Sequence, residues 1–191
     1  MSIETELKLY IDPKYIRQFL DHPFLQNQNY ITQDLYNIYF DTSEHDLLRS
    51  GVGLRVRRVG DRWIQTMKTA NQAVDGLHQR QEWEVEINSE IPEYEKFPTL
   101  PPCTDKIKPL FTTNFQRMKW DLVFDDGSEI ELVLDQGEVK ANNASVPLSE
   151  VELELKVGSV EKLYEVADIL REQVPLVIKN DSKAAMGYAL L

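Results

Sequence analysis

Apolar and polar residues alternate along much of the chain. In residues 3–10 apolar positions alternate with mostly charged ones, which is the period of a strand with one buried face. The same pattern predicts further strands over 33–40, 53–59, 62–68, 78–87, 115–124, 128–134, 138–140 and 150–157. Gly60-Asp61 and Asp125-Asp126-Gly127 predict hairpins, and Gly137 is interpreted as the start of another turn.

Helices are few. Asp12-Pro13 provides an N-cap and a first-turn proline, which predicts a short amphipathic helix over 13–21. A helix is expected from Ser159 to about Arg171, and a last short one from Asp181 to the end of the chain. The connector 41–50, the polar loop 69–76 and the proline-rich segment 92–109 are expected to be irregular, with a helical turn near 105–110. We therefore predict an α+β fold, mainly antiparallel β, arranged as a meander or barrel.

The polar faces of these strands are highly charged. Glu4, Glu6 and Lys8 share one face, Arg55 and Arg57 another, and Glu150, Glu152 and Glu154 a third. One interpretation is a sheet whose polar faces are solvated. The alternative is a barrel with its apolar faces outside, partly covered by helices, and its charges inside. The alternative is favoured because the charges segregate into acidic and basic strands, whereas a solvated surface intersperses the two signs.

Composition narrows the functional classes. The 191 residues carry 21 basic and 32 acidic side chains, a net charge of −11, which argues against general binding to nucleic acid or anionic lipid. No apolar run approaches the length of a membrane span, and the N-terminus does not resemble a signal peptide, so a cytoplasmic location is expected. The single cysteine, Cys103, rules out an intrachain disulfide. Paired acidic and basic walls would suit a hard cation and a phosphate polyanion together.

Several motifs resemble the CYTH superfamily, the triphosphate tunnel metalloenzymes, and they occur in the order typical of that family. They are Glu4-Thr5-Glu6-Leu7-Lys8, Tyr39-Phe40-Asp41-Thr42, Gly53-Leu54-Arg55-Val56-Arg57, Thr66-Met67-Lys68, Gly76-Leu77-His78-Gln79-Arg80 with Glu82, Arg117, Leu134–Val139, Glu150–Glu154 and Ser182-Lys183-Ala184-Ala185. The chain is most similar to the bacterial inorganic triphosphatase branch. It is interpreted as a single CYTH domain over 1–191, without the helical CHAD domain that often follows in that branch.

The resemblance implies an eight-stranded closed β tunnel with a hydrophilic interior and helices packed outside. It also implies metal-dependent hydrolysis of inorganic triphosphate to pyrophosphate and phosphate, with Mg²⁺ or Mn²⁺ as cofactor. The implied metal ligands are Glu4, Glu6, Asp135, Glu152 and Glu154. The implied substrate-binding residues are Lys8, Arg55, Arg57, Lys68, Arg80, Arg117 and Lys183, and the implied catalytic residues are Glu82, Arg57 and Lys68.

Alternatives stay open on the sequence. The chain could act on another triphosphate, as a thiamine triphosphatase, a nucleoside triphosphatase or a class IV adenylate cyclase, or it could bind polyphosphate without cleaving it. Met186 stands where the family usually has Arg, which puts one contact near the last helix in doubt. Family members are often dimers, so a homodimer is a further expectation. The expected partner is a small polyanion, with no nucleic acid and no membrane.

Overall fold

A computed structural model describes residues 2–69, 73–97, 100–103 and 105–191. The described residues form nine strands: β1 (Ser2–Ile11), β2 (Tyr30–Asp41), β3 (Val52–Val59), β4 (Arg62–Thr69), β5 (Leu77–Ile87), β6 (Lys108–Val123), β7 (Glu129–Ala141), β8 (Ala144–Val157) and β9 (Leu176–Ile178). The helices are α1 (Ile16–Leu20), α2 (Asp46–Arg49), α3 (Glu161–Arg171) and α4 (Lys183–Tyr188), with 3-10 turns at Pro13–Tyr15 and Tyr94–Lys96.

The first eight strands close into an antiparallel barrel. Their order is β5-β4-β3-β2-β6-β7-β8-β1, and β1 also pairs with β5. Closure places the N-terminal strand between strands from the middle and the late part of the chain. Glu4 faces Arg80 of β5 in the pairing register, and Lys8 faces Glu152 of β8. The predicted closed tunnel is therefore confirmed.

The ninth strand completes one edge of β1. Strand β5 pairs with Ser2–Leu7, and β9 pairs with Leu9–Ile11. The gap between them is filled by two backbone hydrogen bonds, because the Lys8 N–H donates to the Gly76 carbonyl and the Lys179 N–H donates to the Lys8 carbonyl. Strand β1 thus has partners along both edges, and the chain immediately after β9 lies beside the tunnel wall.

Two apolar clusters cover the outside of the barrel. The first joins α1, α3 and β9 to the outer faces of β1, β6, β7 and β8, with Trp120 and Leu153 at most 2% exposed. The second covers β2 to β5 with Leu47 of α2, and Cys103 packs against it. The apolar faces therefore point outward under the helices and the charged faces point inward, as in the second of the two arrangements that the sequence allowed.

A third apolar cluster lies inside the barrel. Phe111 and Phe115 share a strand face with Arg117, and Val139 shares one with Asp135. Ala184, Met186 and Tyr188 of α4 pack against this cluster. The interior is therefore polar along the charged walls and apolar next to α4.

Some sequence-based boundaries were wrong. Gly137 does not begin a turn: it lies within β7, opposite Phe115, and an added Cβ would come within 2.1 Å of the Asn114 carbonyl oxygen. The predicted strands 128–134 and 138–140 are thus one strand. The residues 108–110, expected near a helical turn, begin β6. Residues 70–72 of the predicted polar loop and residues 98, 99 and 104 of the proline-rich segment lie outside the described residues.

Candidate active site

The barrel encloses a cavity of about 520 Å³. Its wall is built from the inward faces of all eight barrel strands, and α4 and the residues just before it complete the wall. Eight Lys or Arg side chains line it against seven carboxylates among the described residues. The two signs almost balance, so the wall alone has little net charge with which to hold a polyanion.

Strands β1, β4 and β5 contribute one ion-pair network. Lys68 Nζ lies 2.6 Å from Glu4 Oε1 and 2.9 Å from Glu82 Oε1. Arg80 bridges β1 through Nε, 2.7 Å from Glu4 Oε2, and through Nη2, 2.7 Å from Glu6 Oε1. Burial favours a higher pKa for Glu4, but Lys68 and Arg80 outweigh it and hold that pKa well below its usual value. Glu4 is therefore a carboxylate at neutral pH.

A second network surrounds Lys183, which enters the cavity from the first turn of α4. Its Nζ lies 2.7 Å from Asp135 Oδ2, 2.5 Å from Glu150 Oε1 and 3.1 Å from Glu152 Oε1. Arg117 binds Asp135 through two hydrogen bonds of 2.7 and 2.6 Å. Lys8 pairs with Glu152, and Lys179 pairs with Glu150.

The basic wall on β3 differs from both networks. Arg55 donates to Thr66 Oγ1 at 3.0 Å and lies 3.4 Å from Glu84. Arg57 Nε donates to Asn37 Oδ1 at 2.8 Å, and within the described part of the chain no carboxylate pairs with Arg57. Burial, followed by repulsion from Arg55 and Arg117, lowers the pKa of Arg57 to about 10 from its usual 12.5. A half-buried cation without a carboxylate partner is costly, so this position favours an incoming anion.

Carboxylates gather at two places where a cation could bind. Oxygen atoms of Asp135, Glu150 and Glu152 lie within 4.8 Å of one another, but each of these groups is already paired with Lys or Arg. Farther along the wall, burial raises the pKa of Glu154. Lys156 opposes this rise, and the neighbouring carboxylates Glu4 and Glu131 add to it. A divalent cation would relieve that repulsion, and carboxylate oxygens are the ligands that Mg²⁺ and Mn²⁺ prefer.

The structure brings nearly all the sequence-predicted site residues to this one cavity. Those that line it are Lys8, Arg55, Arg57, Lys68, Arg80, Arg117, Lys183, Glu4, Glu6, Glu82, Glu152 and Glu154. Asp135 differs because it faces the interior but is fully buried beneath Arg117 and Lys183, which it contacts. The predicted residues, distant in the sequence, therefore lie together in space.

Two charged residues of the network around Lys183 escaped the sequence-based site. Glu150 is fully buried between the ammonium groups of Lys179 and Lys183. Its place in the Glu150, Glu152, Glu154 alternation was a usable signal, because all three share a strand face. Lys179 had no such signal, since its contact with Glu150 depends on where β9 ends. Met186, the departure from the family pattern, lies with its Sδ 3.3 Å from Lys179 Nζ.

The fold and the residues that line the cavity together define a charged β tunnel. Comparisons with known proteins identify the family to which this tunnel belongs. The CYTH domain family matches residues 2–188, so the chain belongs to the CYTH domain family. An inorganic triphosphatase from Haemophilus influenzae is 34% identical over 204 residues, covering 100% of this chain and 55% of that protein. The chain thus spans about half the length of this relative.

Two solved structures support the fold. HpAC1 from Hippeastrum, a proposed adenylyl cyclase for which a dominant triphosphatase activity is described, is 20% identical with a TM-score of 0.72, covering 97% of this chain and 95% of that chain. The capping enzyme triphosphatase of Mimivirus is 10% identical with a TM-score of 0.51, covering 90% and 89% of the two chains. Among the described residues, no helix is long and apolar enough to cross a membrane.

Proposed function

We propose that this protein hydrolyses inorganic triphosphate to pyrophosphate and phosphate inside the charged tunnel. The observation that carries the proposal is Arg57, a half-buried guanidinium that faces the cavity beside Arg55 and has no carboxylate partner among the described residues. Phosphate oxygens would supply the missing counter-charge, and Arg can bind them through two parallel N–H groups. The Haemophilus relative supports the choice of inorganic triphosphate as substrate.

The remaining cations would surround the other phosphates. Lys8, Lys68 and Lys183 are each paired with carboxylates of the wall. On binding, they would exchange part of those contacts for phosphate oxygens and stabilise the charge on the transferred group. Arg80 and Arg117, which are held by two carboxylates each, would present their guanidinium groups from fixed positions.

The acidic wall would suit a divalent cation, with Glu4, Glu6, Glu152 and Glu154 as the proposed ligands and the buried Asp135 close to Glu152. Bound there, Mg²⁺ or Mn²⁺ would neutralise phosphate charge and hold the triphosphate in line for attack. The lining is almost neutral without a metal ion. A polyanion bound there without the metal would therefore give the tunnel a large net negative charge.

Glu82 is the proposed group that orients the attacking water. It lies on the same inward face of β5 as Arg80, and Lys68 is 2.9 Å from its Oε1. In the reaction the water oxygen forms a bond to a terminal phosphorus, the bridging P–O bond breaks, and pyrophosphate leaves with the electron pair of that bond. Glu82 would accept the water proton, and Lys68 would hold Glu82 in place.

The test is phosphate release from tripolyphosphate with Mg²⁺ or Mn²⁺, with ATP and thiamine triphosphate assayed in parallel. We expect release from tripolyphosphate that stops when a chelator is added. Arg57→Ala is expected to lower turnover by about tenfold or more, because the variant loses a charged phosphate contact. Arg58→Ala is the matched control, since the Arg58 side chain is exposed and donates to the Gly60 carbonyl.

Other outcomes would change the proposed function. Faster phosphate release from ATP or thiamine triphosphate would make that compound the proposed substrate in place of inorganic triphosphate. Tight binding of tripolyphosphate without release would make the tunnel a receptor and remove the catalytic role proposed for Glu82. Unchanged turnover in Arg57→Ala would contradict the role of Arg57.

A further inference from the structure

Helix α4 carries Lys183 into the tunnel, yet it has only six residues. A helix this short has almost no stability of its own, so its position depends on the contacts at its two ends. At the first end, Ser182 caps the helix by accepting from the Ala185 N–H at 3.1 Å, and Lys183 reaches its three carboxylates. Those carboxylate contacts are the ones that a bound polyanion would partly replace, so they alone cannot keep the helix fixed during binding.

The C-terminal end of α4 is held by contacts that a bound polyanion would not replace. Tyr188 Oη donates a hydrogen bond of 2.7 Å to Oδ2 of Asp41, which is fully buried. Asp41 also accepts from the backbone N–H groups of Thr42, Leu47 and Leu48 at 2.7 to 3.0 Å, so β2 and α2 fix its position. Burial and then Asp41 raise the pKa of Tyr188 far above its usual value, which keeps the phenol protonated as a donor.

The helix also sits unusually close to the barrel at this end. An added Cβ at Gly187 would come within 2.1 Å of the Phe111 ring, and the Tyr188 ring makes an edge contact with Phe111 at 5.1 Å. Only a residue without a side chain allows this approach. The hydrogen bond and the ring contacts therefore set the distance between α4 and the tunnel wall.

We propose that Tyr188 and Asp41 are positioning residues for the active site: their hydrogen bond anchors α4 so that Lys183 stays directed into the tunnel while its carboxylate contacts are exchanged for phosphate. The inference rests on the proposed function for its substrate. The anchored position of Lys183, however, can be measured without any substrate.

The first experiment measures the reactivity of Lys183 in the substrate-free protein, by amine acylation and mass spectrometry. Lys183 is 7% exposed, so its labelling in the native protein should be slow. Tyr188→Phe removes the hydrogen bond to the Asp41 carboxylate. The labelling rate of Lys183 should therefore rise roughly tenfold in this variant, and the labelling rate of Lys162 in α3 should not change. Tyr164→Phe is the matched control, since Tyr164 is a partly buried tyrosine of α3. An unchanged Lys183 rate in Tyr188→Phe would overturn the anchor.

The second experiment is a double-mutant cycle on tripolyphosphate affinity, measured by calorimetry. If Tyr188 acts through Lys183, Tyr188→Phe should weaken binding roughly tenfold in the native background but less than twofold in a Lys183→Met background. An equal loss in both backgrounds would show that Tyr188 acts on the ligand independently and would overturn the proposal.

Two further results keep the test decisive. Gly187→Ala displaces α4 sterically and keeps the tyrosine hydroxyl, so it should raise Lys183 labelling even if Tyr188→Phe folds poorly. If the native protein neither binds nor hydrolyses tripolyphosphate, the proposed function is wrong, and the labelling result still decides whether the anchor exists.

Discussion

Replacing Arg57 by methionine should make the substrate-free protein more stable. The fold lowers the pKa of Arg57 to about 10, so it disfavours the charged form. At about 1.4 kcal/mol per pKa unit, and allowing for the solvent contact of a half-buried group, this cost is about 2 kcal/mol. Arg57→Met also removes the hydrogen bond to Asn37, worth about 1 kcal/mol. The net expectation is a gain of about 1 kcal/mol, or about 2–4 °C in Tm for a domain of this size.

Arg80→Met makes the same chemical change, but it is expected to lower the stability of the protein. Arg80 is held by Glu4 and Glu6, so its removal leaves two half-paired carboxylates in the wall. Breaking a buried ion pair from one side costs about 3–5 kcal/mol. Both variants lower the net charge equally, so a general effect of charge on stability cancels between them.

The assay is thermal and urea unfolding of the two variants at pH 8 and low salt, without metal or phosphate. The penalty on Arg57 is present at this pH, which is below its folded pKa, and it fades as the pH rises through about 10 toward 12.5. The same Arg57→Met protein should bind tripolyphosphate more weakly by tenfold or more, since it loses a charged contact. If Arg57→Met is destabilised as much as Arg80→Met, the interpretation of Arg57 as an unpaired cation is refuted.

Two more results are expected from the wall and the sheet. The Lys and Arg partners hold the pKa values of Glu4 and Glu152 below the usual 4.5 against the effect of burial, so this stabilisation is present above pH 4.5 and is lost as pH falls below it. Urea unfolding at pH 7, 4 and 3 should show the loss, and equal stability at all three pH values would contradict it. Gly137→Ala should cost about 3 kcal/mol in urea unfolding because its Cβ would overlap β6. Gly53→Ala, whose nearest contact is 4.0 Å away, is the comparison, and similar losses in both would contradict the steric argument.

The period of two along each strand made the charged faces predictable. That period is local, so Glu4 and Glu6, or Arg55 and Arg57, could be assigned to common faces from the sequence alone. The segregation of charge by strand then favoured an inward direction for these faces. The same segregation suggested an acidic and a basic wall in one cavity, and the resemblance to the family added the roles of individual residues.

Contacts between distant strands were not predictable in the same way. Gly137 signals a turn as readily as a close approach, and only the position of Asn114 on the neighbouring strand distinguishes them. Phe111 and Phe115 share a face with Arg117, which a simple inside-or-outside alternation does not anticipate. The pairing of Glu150 with Lys179 requires β9 to lie along β1, a contact between opposite ends of the chain.

The closure of the barrel through β1 has a consequence for synthesis on the ribosome. Strand β1 is made before all of its partners. Strand β5, which pairs with Ser2–Leu7, is complete at residue 87, but β8 on the other edge and β9 are complete only at residues 157 and 178. Even when Glu4 and Glu6 pair with β5, the other edge of β1 stays unpaired, and Lys8 lacks its partner Glu152, until β8 has been made. Contacts so distant in sequence form slowly, because loop closure precedes any gain from pairing. A nascent chain should thus acquire its tunnel abruptly, after the segment that contains β9 and α4 leaves the ribosome.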